Sequence, residues 1–348
     1  MNVKKKIFIW TSDISQNTGE GVLCRNFLYK LLPKHDKIII QSLEEKFNIK
    51  KITNLKKLNL KSLNQSFFHK YLGPLIGVLF CWKNFILGHK IIYLNYLPFW
   101  NILIFLFLPP KTILGPVTGS RYFGKIDNFS SLIRKFIFPI LYYFNSFILR
   151  LRFKKVIFST NLLRDYLPNN KNFFYNFVFT LIEENKYRKK NCSFDIVFYY
   201  RKHITKNSKE IFNIISLLSK KYKICIFGDK LKINGCKNYG RITNKKVKKI
   251  LNKSKITFAS SENLFSIFVI EALNKNVHIL YDKNLFAYNE LKNNNRVIPV
   301  KFNDPKEILL IIDKIINDKK FDYNFKVVNK NIKKYKINLK NFLEDFLV

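Results

Sequence analysis

Lys255 to Asp282 reads KITFASSENLFSIFVIEALNKNVHILYD, and the reading of this stretch decides the fold. Its apolar run Ile256 to Ala259, bounded by Ser260 and Ser261, reads as a buried strand and its exit. Ser266 to Leu273 follows with apolar residues at helical spacing around Glu271-Ala272, and Val277 to Tyr281 reads as a second buried strand. Strand, acidic loop, helix and strand form a βαβ unit, whose parallel strands require a crossover. Such sheets bind ligands at the carboxyl ends of their strands, where Ser260, Ser261, Glu262 and Asn263 fall. A carboxylate at that edge, with Glu271 further along the helix, accepts hydrogen bonds from the hydroxyl pairs of a polyol. The helix start offers N–H groups and partial positive charge to a phosphate. An ordinary capped βαβ unit without a ligand would read the same from these residues alone.

Upstream, Phe194 to Tyr199 reads as a strand whose exit carries Tyr200-Arg201-Lys202-His203-Ile204-Thr205-Lys206-Asn207, ahead of a helix from Lys209 to Leu218. Fixed cations at a strand end suit an anionic ligand such as a phosphate. Ile224 to Phe227 is a further strand ending in Gly228-Asp229, and Tyr239-Gly240-Arg241-Ile242 leads into a helix from Asn244 to Leu251. Val297 to Val300 reads as a strand, and Asp304-Pro305 starts a helix through Ile316 with the proline in its first turn.

The first half repeats the alternation. Lys6 to Trp10 is an apolar first strand, followed by a loop with Asn17-Thr18-Gly19-Glu20-Gly21 and a helix from Val22 to Leu32. Glycines between first strand and first helix let the backbone approach a phosphate or sugar. Ile38 to Ile40 is a second strand, Lys46 to Lys61 a Lys/Asn-rich, solvated, partly irregular region, and Phe67 to Leu87 one kinked helix or two short ones about Gly73-Pro74. Ile91 to Tyr93 and Thr112 to Leu114 read as strands separated by a helix, Phe99 to Leu108. The second of them runs into Gly115-Pro116-Val117-Thr118-Gly119, a turn-forming run. Ser131 to Arg152 is a long amphipathic helix with basic ends and an aromatic face, suited either to a membrane interface or to burial on the sheet. Val156 to Ser159 is a strand and Asn161 to Leu167 a short helix.

These residues carry a resemblance. SSENLFSIFVIEAL is similar to the donor-site element of GT-B glycosyltransferases of the family 4 type, Ser-x-x-Glu-Gly-Phe-Gly-x-x-x-x-Glu-Ala. That family has seven residues between its glutamates, whereas Glu262 and Glu271 have eight. With Phe265 and Ser266 at the Phe-Gly positions, Asn263 stands where the first Glu belongs; either Glu262 reaches the sugar through a longer loop or Asn263 replaces it. Arg201 and Lys206 have the spacing of the family's Gly-Arg and Lys-Gly pair, with Tyr200 and Asn207 in place of the glycines.

The resemblance implies an α/β fold of two Rossmann-like domains facing across a cleft (GT-B). It implies an acceptor-side domain over 1–185, a nucleotide-sugar domain over 192–325, and a C-terminal helix over 326–348 returning to the first domain. It implies a retaining, metal-independent transfer in which Arg201, Lys206 and Glu262 act in catalysis. Glu271, Asn263, Leu264, Phe265, Ser266, Ser261 and Gly240 would hold a UDP- or GDP-linked sugar. Gly19, Glu20, Gly21, Thr118 and Gly119 would form the acceptor-side loops. The nucleotide-sugar is a co-substrate; no cofactor or metal is expected.

Size and charge bound the reading. The 348 residues suffice for two α/β domains with full cores, and 47% hydrophobic residues argue against disorder. Lys and Arg number 63 against 23 Asp and Glu, a formal charge of +40 that calls for an anionic partner or surface. The expectation is an enzyme peripheral on the inner face of the cytoplasmic membrane, acting on a cell-envelope glycan or lipid-linked acceptor. Ile91 to Leu108 is the most membrane-like run, interrupted by Asn95, Pro98 and Asn101, and no transmembrane span or signal peptide is expected. The five cysteines form no CxxC pair and read as buried free thiols. The five histidines lack metal-ligand spacing, and no Asp-x-Asp, Walker A or G-x-S-x-G motif occurs. The alternatives are a nucleic-acid-binding protein, which the charge suits but no motif supports, and a GT-B-like nucleotide-sugar epimerase.

Overall fold

The computed structural model describes residues 6–14, 18–31, 38–42, 46–49, 72–119, 129–167, 169–182, 192–202, 208–259, 264, 266–283, 291, 294–317 and 335–344. The chain divides into two compact units: Met1–Val178 with Ile337–Val348, and Phe179–Lys336.

In the first unit, β1 (Ile7–Trp10), α1 (Gly19–Leu31), β2 (Ile38–Gln41) and β3 (Lys46–Ile49) are followed by α2 (Gly73–Ile86), β4 (Lys90–Pro98), α3 (Ile102–Phe107) and β5 (Ile113–Thr118). The unit continues with a long helix, α4 (Phe129–Arg152), containing a π-helical turn at Ile133–Ile137, then β6 (Lys155–Phe158) and β7 (Phe173–Phe174). The sheet runs β3-β2-β1-β4-β5-β6-β7, parallel except for β3. All four residues of β1 are buried, as a strand with both faces covered requires, which is why it reads as an unbroken apolar run.

Several expectations change here. Lys46–Ile49, read as solvated and irregular, is the antiparallel edge strand on β2; an edge strand is recruited by backbone pairing and carries little apolar signal. Gly73-Pro74 stands at a helix start among the described residues. It opens α2, with proline in the first turn where its missing N–H costs nothing; residues 67–71 lie outside the described residues. The Gly115-to-Thr118 run is no turn but the second half of β5, and the register slips between Leu114 and Val117, where Pro116 lacks its ladder donor. The helix read from Phe99 begins only at Ile102, because Asn101 caps the N–H of Ile104 and the Phe99 N–H bonds the Thr118 carbonyl. Asn161 to Leu167 is only a 3-10 turn at Arg164–Tyr166.

Ile91 to Leu108, the run closest to a membrane span in the sequence, instead splits into the buried β4 and short α3. Among the described residues α4 is the helix long and apolar enough to cross a bilayer, with 28% of its apolar window buried. Its inner face, including Tyr142, Asn145 and Leu149, belongs to the unit's own packing; Asn145 Nδ2 donates to the Phe99 carbonyl at 2.6 Å. The 335–344 helix, α9, adds Leu339 and Leu343 to the buried residues and lays Phe342 against Phe174.

The second unit contains β8 (Phe194–Tyr200), α5 (Ser208–Leu218), β9 (Ile224–Gly228), β10 (Cys236–Asn238), α6 (Asn244–Asn252), β11 (Ser254–Phe258), α7 (Ile267–Asn274), β12 (His278–Asp282), β13 (Val297–Val300) and α8 (Pro305–Asn317). Its six strands run β10-β9-β8-β11-β12-β13, all parallel. Stacked Phe198 and Phe258, with Ile214 and Leu218 of α5 and Ile308 and Ile312 of α8, fill the core on one face. From each central strand, β1 and β8, the chain first builds the sheet outward on one side and then crosses over to build it on the other. That is the switch point at which open α/β sheets bind ligands. The five cysteines are free, and burial pushes the Cys24 thiol up to about 12.

Candidate functional site

At the switch point of the second sheet, β8 lies between β9 and β11. It ends at Tyr200, so Arg201 and Lys202 emerge exposed at the carboxyl edge. The start of this exit is tied down by Asp229, which follows β9. Asp229 accepts from the Lys202 N–H at 3.0 Å and from Arg241 Nη2 at 3.0 Å, while its own N–H donates to the Tyr200 carbonyl at 2.9 Å. The Lys202 N–H first, then Arg241, hold the Asp229 carboxyl below its usual range, with Arg201 adding to the effect. The Gly228 N–H donates to the Gly240 carbonyl at 2.9 Å, joining the exits of β8 and β9 to the turn before α6. Gly228 sits at φ +111°, and an added Cβ would lie 2.1 Å from the Tyr200 carbonyl oxygen; only glycine permits this approach.

The neighbouring strand, β11, leads to α7. Leu264 is fully buried, and Ser266 caps the helix by accepting from the Val269 N–H at 3.2 Å. The remaining first-turn N–H groups of α7 are the kind that bind an anion. Glu271, in the second turn, is only 9% exposed. Burial pushes its pKa up, while the Lys248 charge and a side-chain hydrogen bond with Asn244 draw it partly back. Lys248 Nζ stands 3.7 Å from Glu271 Oε1, too far for a hydrogen bond, and Oε1 finds no donor among the described residues. Asn244 Oδ1, at the first residue of α6, is also buried without a donor. One oxygen each of Glu271 and Asn244, on the adjoining helices α7 and α6, is thus left to accept from a hydroxyl or N–H. Gly240 sits at φ +60° in the turn before α6 with open space where a side chain would go. Ser261, Glu262, Asn263, Phe265 and Lys206 lie outside the described residues.

The first sheet has a corresponding edge. Asn95, on β4, is 3% exposed and accepts from both the N–H and the hydroxyl of Ser12 at 2.7 Å, clasping the β1 exit across the switch point. Thr18 donates to Asp13 at 2.6 Å and accepts from the Gly21 N–H at 3.0 Å. Thr18 is therefore an N-cap, and Gly19, Glu20 and Gly21 form the first turn of α1 rather than the loop expected before a helix at Val22. Glu20 stands where a carboxylate complements the helix dipole. Thr118 ends β5; its hydroxyl donates to the Tyr96 oxygen at 2.9 Å, and Gly119 follows. Ser12, Asn95 and Tyr96 escaped the sequence reading. Their signal was a buried asparagine inside an apolar strand, which calls for a polar partner. Among the described residues no group of three or more His, Cys, Asp or Glu side chains could hold a metal ion.

No family model matches the sequence, and no curated protein matches it. Solved structures do. Sucrose-phosphate synthase from Thermosynechococcus elongatus superposes with a TM-score of 0.60 at 11% identity, covering 98% of this chain and 99% of that one. HepE of Anabaena, in complex with UDP and glucose, gives 0.58 at 12% identity over 99% of both chains. A glycosyltransferase from Rickettsia africae gives 0.54 at 14% identity over 99% of this chain and 97% of its own. The chain has the GT-B fold. The likeness spans both units from end to end, so the GT-B architecture implied by the donor-loop resemblance holds for the chain as a whole.

Proposed function

We propose that this protein is a retaining, metal-independent glycosyltransferase that moves a sugar from a UDP- or GDP-linked donor to a cell-envelope glycan or lipid-linked acceptor. The observation that carries the reading is Glu271: a buried carboxylate with a donorless oxygen, one turn beyond a capped helix start at the switch point of a parallel sheet. A carboxylate so placed accepts from a ribose diol, while the first turn of α7 takes the phosphate. The GT-B fold and the UDP-and-glucose complex of HepE support the same choice of ligand.

In this reading Arg201 and Lys206 face the diphosphate. As the anomeric C–O bond breaks, its electron pair stays on the phosphate oxygen, and the two cations offset that charge in place of a metal ion. Glu262 or Asn263 holds the sugar, with Ser261, Leu264, Phe265 and Ser266 lining the donor and Gly240 beside the base. The acceptor hydroxyl approaches from the side of Gly19, Glu20, Gly21, Thr118 and Gly119, and its proton leaves with the diphosphate. The acceptor is met at the cytoplasmic face of the membrane, in keeping with the +40 charge.

A thermal-shift panel of UDP, GDP, CDP, ADP and single-stranded RNA, on wild type and Arg201→Ala, tests the reading. The expected result is a shift with one nucleoside diphosphate that the variant loses. A shift with RNA alone would replace the transferase by a nucleic-acid binder.

A further inference from the structure

We propose that the outward faces of α2, α3 and α4 together form a docking surface that lies in the interface of an anionic lipid bilayer. These helices expose large apolar side chains that single-residue scatter does not explain: Leu79 and Ile86 on α2, Phe107 on α3, and Ile140, Phe147 and Leu151 on α4 are all more than half exposed. Outside 72–151, the described residues expose large apolar side chains to a comparable degree only at Phe212, Leu310 and Ile337. Isolated apolar residues on a surface are ordinary, but a contiguous group marks an interaction site.

The three helices adjoin one another. Trp82 Nε1 on α2 donates to the Phe107 carbonyl of α3 at 2.6 Å, the Trp100 ring before α3 stacks on Phe138 of α4 at 5.8 Å, and Arg152 Nη2 of α4 donates to the Leu108 carbonyl at 2.8 Å. Both indoles, Trp82 and Trp100, are partly exposed, and such rings suit the headgroup boundary, where one edge is apolar and the other wet.

Charge selects the occupant. Between Glu45 and Asp165 the sequence carries a single carboxylate, Asp127. Lys83, Lys135 and Arg150 are exposed on α2 and α4 themselves, and Lys111 and Lys154 are exposed close by in the chain. A second copy of this chain would set these cations against one another across the contact, whereas anionic headgroups complement them. The helix α4 does not leave the fold to span the bilayer, since Tyr142, Asn145, Ser146 and Leu149 face its own unit. It lies on the surface like an amphipathic interfacial helix, its long lysine and arginine stems reaching the headgroups.

This deepens the proposed function by assigning the surface that brings the enzyme to a lipid-carried acceptor, and it rests on that reading only for its purpose. The test needs neither donor nor acceptor, so failure to dock and failure to transfer are read separately. The full chain is floated with vesicles of phosphatidylcholine, with and without phosphatidylglycerol. Wild type is expected to float with the anionic vesicles, and less so as salt rises. The pairs Ile140→Asp with Phe147→Asp, and Lys135→Glu with Arg150→Glu, are each expected to lower the bound fraction about tenfold or more. Leu310→Asp, on the second unit, is expected to leave it unchanged. Brominated lipid should quench Trp82 and Trp100 fluorescence in wild type, a readout that needs no variant. Indifference of wild type to anionic vesicles, or binding that survives both pairs, would overturn the proposal. So would a dimer in sedimentation velocity that Phe147→Asp dissociates while vesicles are ignored, which would give the face to a second copy.

Discussion

Gly228→Ala probes the joint that positions the β8 exit. The residue sits at φ +111°, where a side chain costs about 1–2 kcal/mol in backbone strain. Its Cβ would lie 2.1 Å from the Tyr200 carbonyl oxygen, so the ends of β8 and β9 must move apart. That weakens the Asp229 N–H bond to the same oxygen, a loss of about 1 kcal/mol. Less about 0.5–1 kcal/mol for the smaller conformational freedom of alanine in the unfolded chain, the second unit loses about 1–2.5 kcal/mol. Gly240→Ala is the matched control: it also has positive φ, at +60°, but nothing lies within 4 Å of its Cβ, so it costs about 1 kcal/mol or less. Urea unfolding read by hydrogen exchange on peptides covering β8 and β9 measures both variants. The three tryptophans, Trp10, Trp82 and Trp100, all lie in the first unit, and their fluorescence midpoint should stay put in both. If Gly228→Ala were no less stable than Gly240→Ala, the account of this strand junction would fail.

Two further substitutions separate stability from ligand binding. Asp229→Asn removes the charged acceptor for the Lys202 N–H and Arg241, a loss of about 1 kcal/mol given how exposed Arg241 is. Because the folded carboxyl titrates below its usual range, its contribution is present above the unfolded pKa and is lost as pH falls through the folded value. The gap between wild type and variant in urea midpoint should therefore be open at pH 7 and closed in strong acid; an equal gap at both would contradict it. Glu271→Gln runs the other way. Burial raises the folded pKa of this carboxyl, so its contribution is most favourable below the unfolded value and is lost as pH rises through the folded one. The variant should melt at or above the wild-type temperature at pH 8 while binding donor nucleotide more weakly; a lower melting temperature with intact binding would mark Glu271 as purely structural.

The sequence made the central strands legible because burial on both faces writes them as short apolar runs. Ile7–Trp10, Ile224–Gly228 and His278–Asp282 stand within about a residue of where periodicity puts them. Of the edge strands, Val297–Val300 was legible, but Lys46–Ile49 and Cys236–Asn238 left little trace: they are defined by backbone pairing with a neighbour that only the folded chain supplies. Gly-Pro was read as punctuation in β5, where the register slip absorbs the missing donor. In the candidate site, Arg201, Ser266 and Glu271 were visible through their place at strand exits and on the helix behind them. Asn95 and Asp229 were not, since each works through partners 83 and 27 residues away in the chain. The apolar outer face of α4 was visible as a pattern, but the sequence alone could not divide burial from exposure. The fold does so by turning Tyr142 and Asn145 inward and Ile140 and Phe147 outward.

The most direct measurement is calorimetric titration of wild type, Arg201→Ala and Glu271→Gln with the nucleoside diphosphate that gives the thermal shift. The account predicts a single site in wild type and a loss of affinity of about tenfold or more in each variant, since each removes a charged partner of the ligand. Unchanged affinity in both variants, with the fold intact, would contradict the assignment of this edge as the donor site.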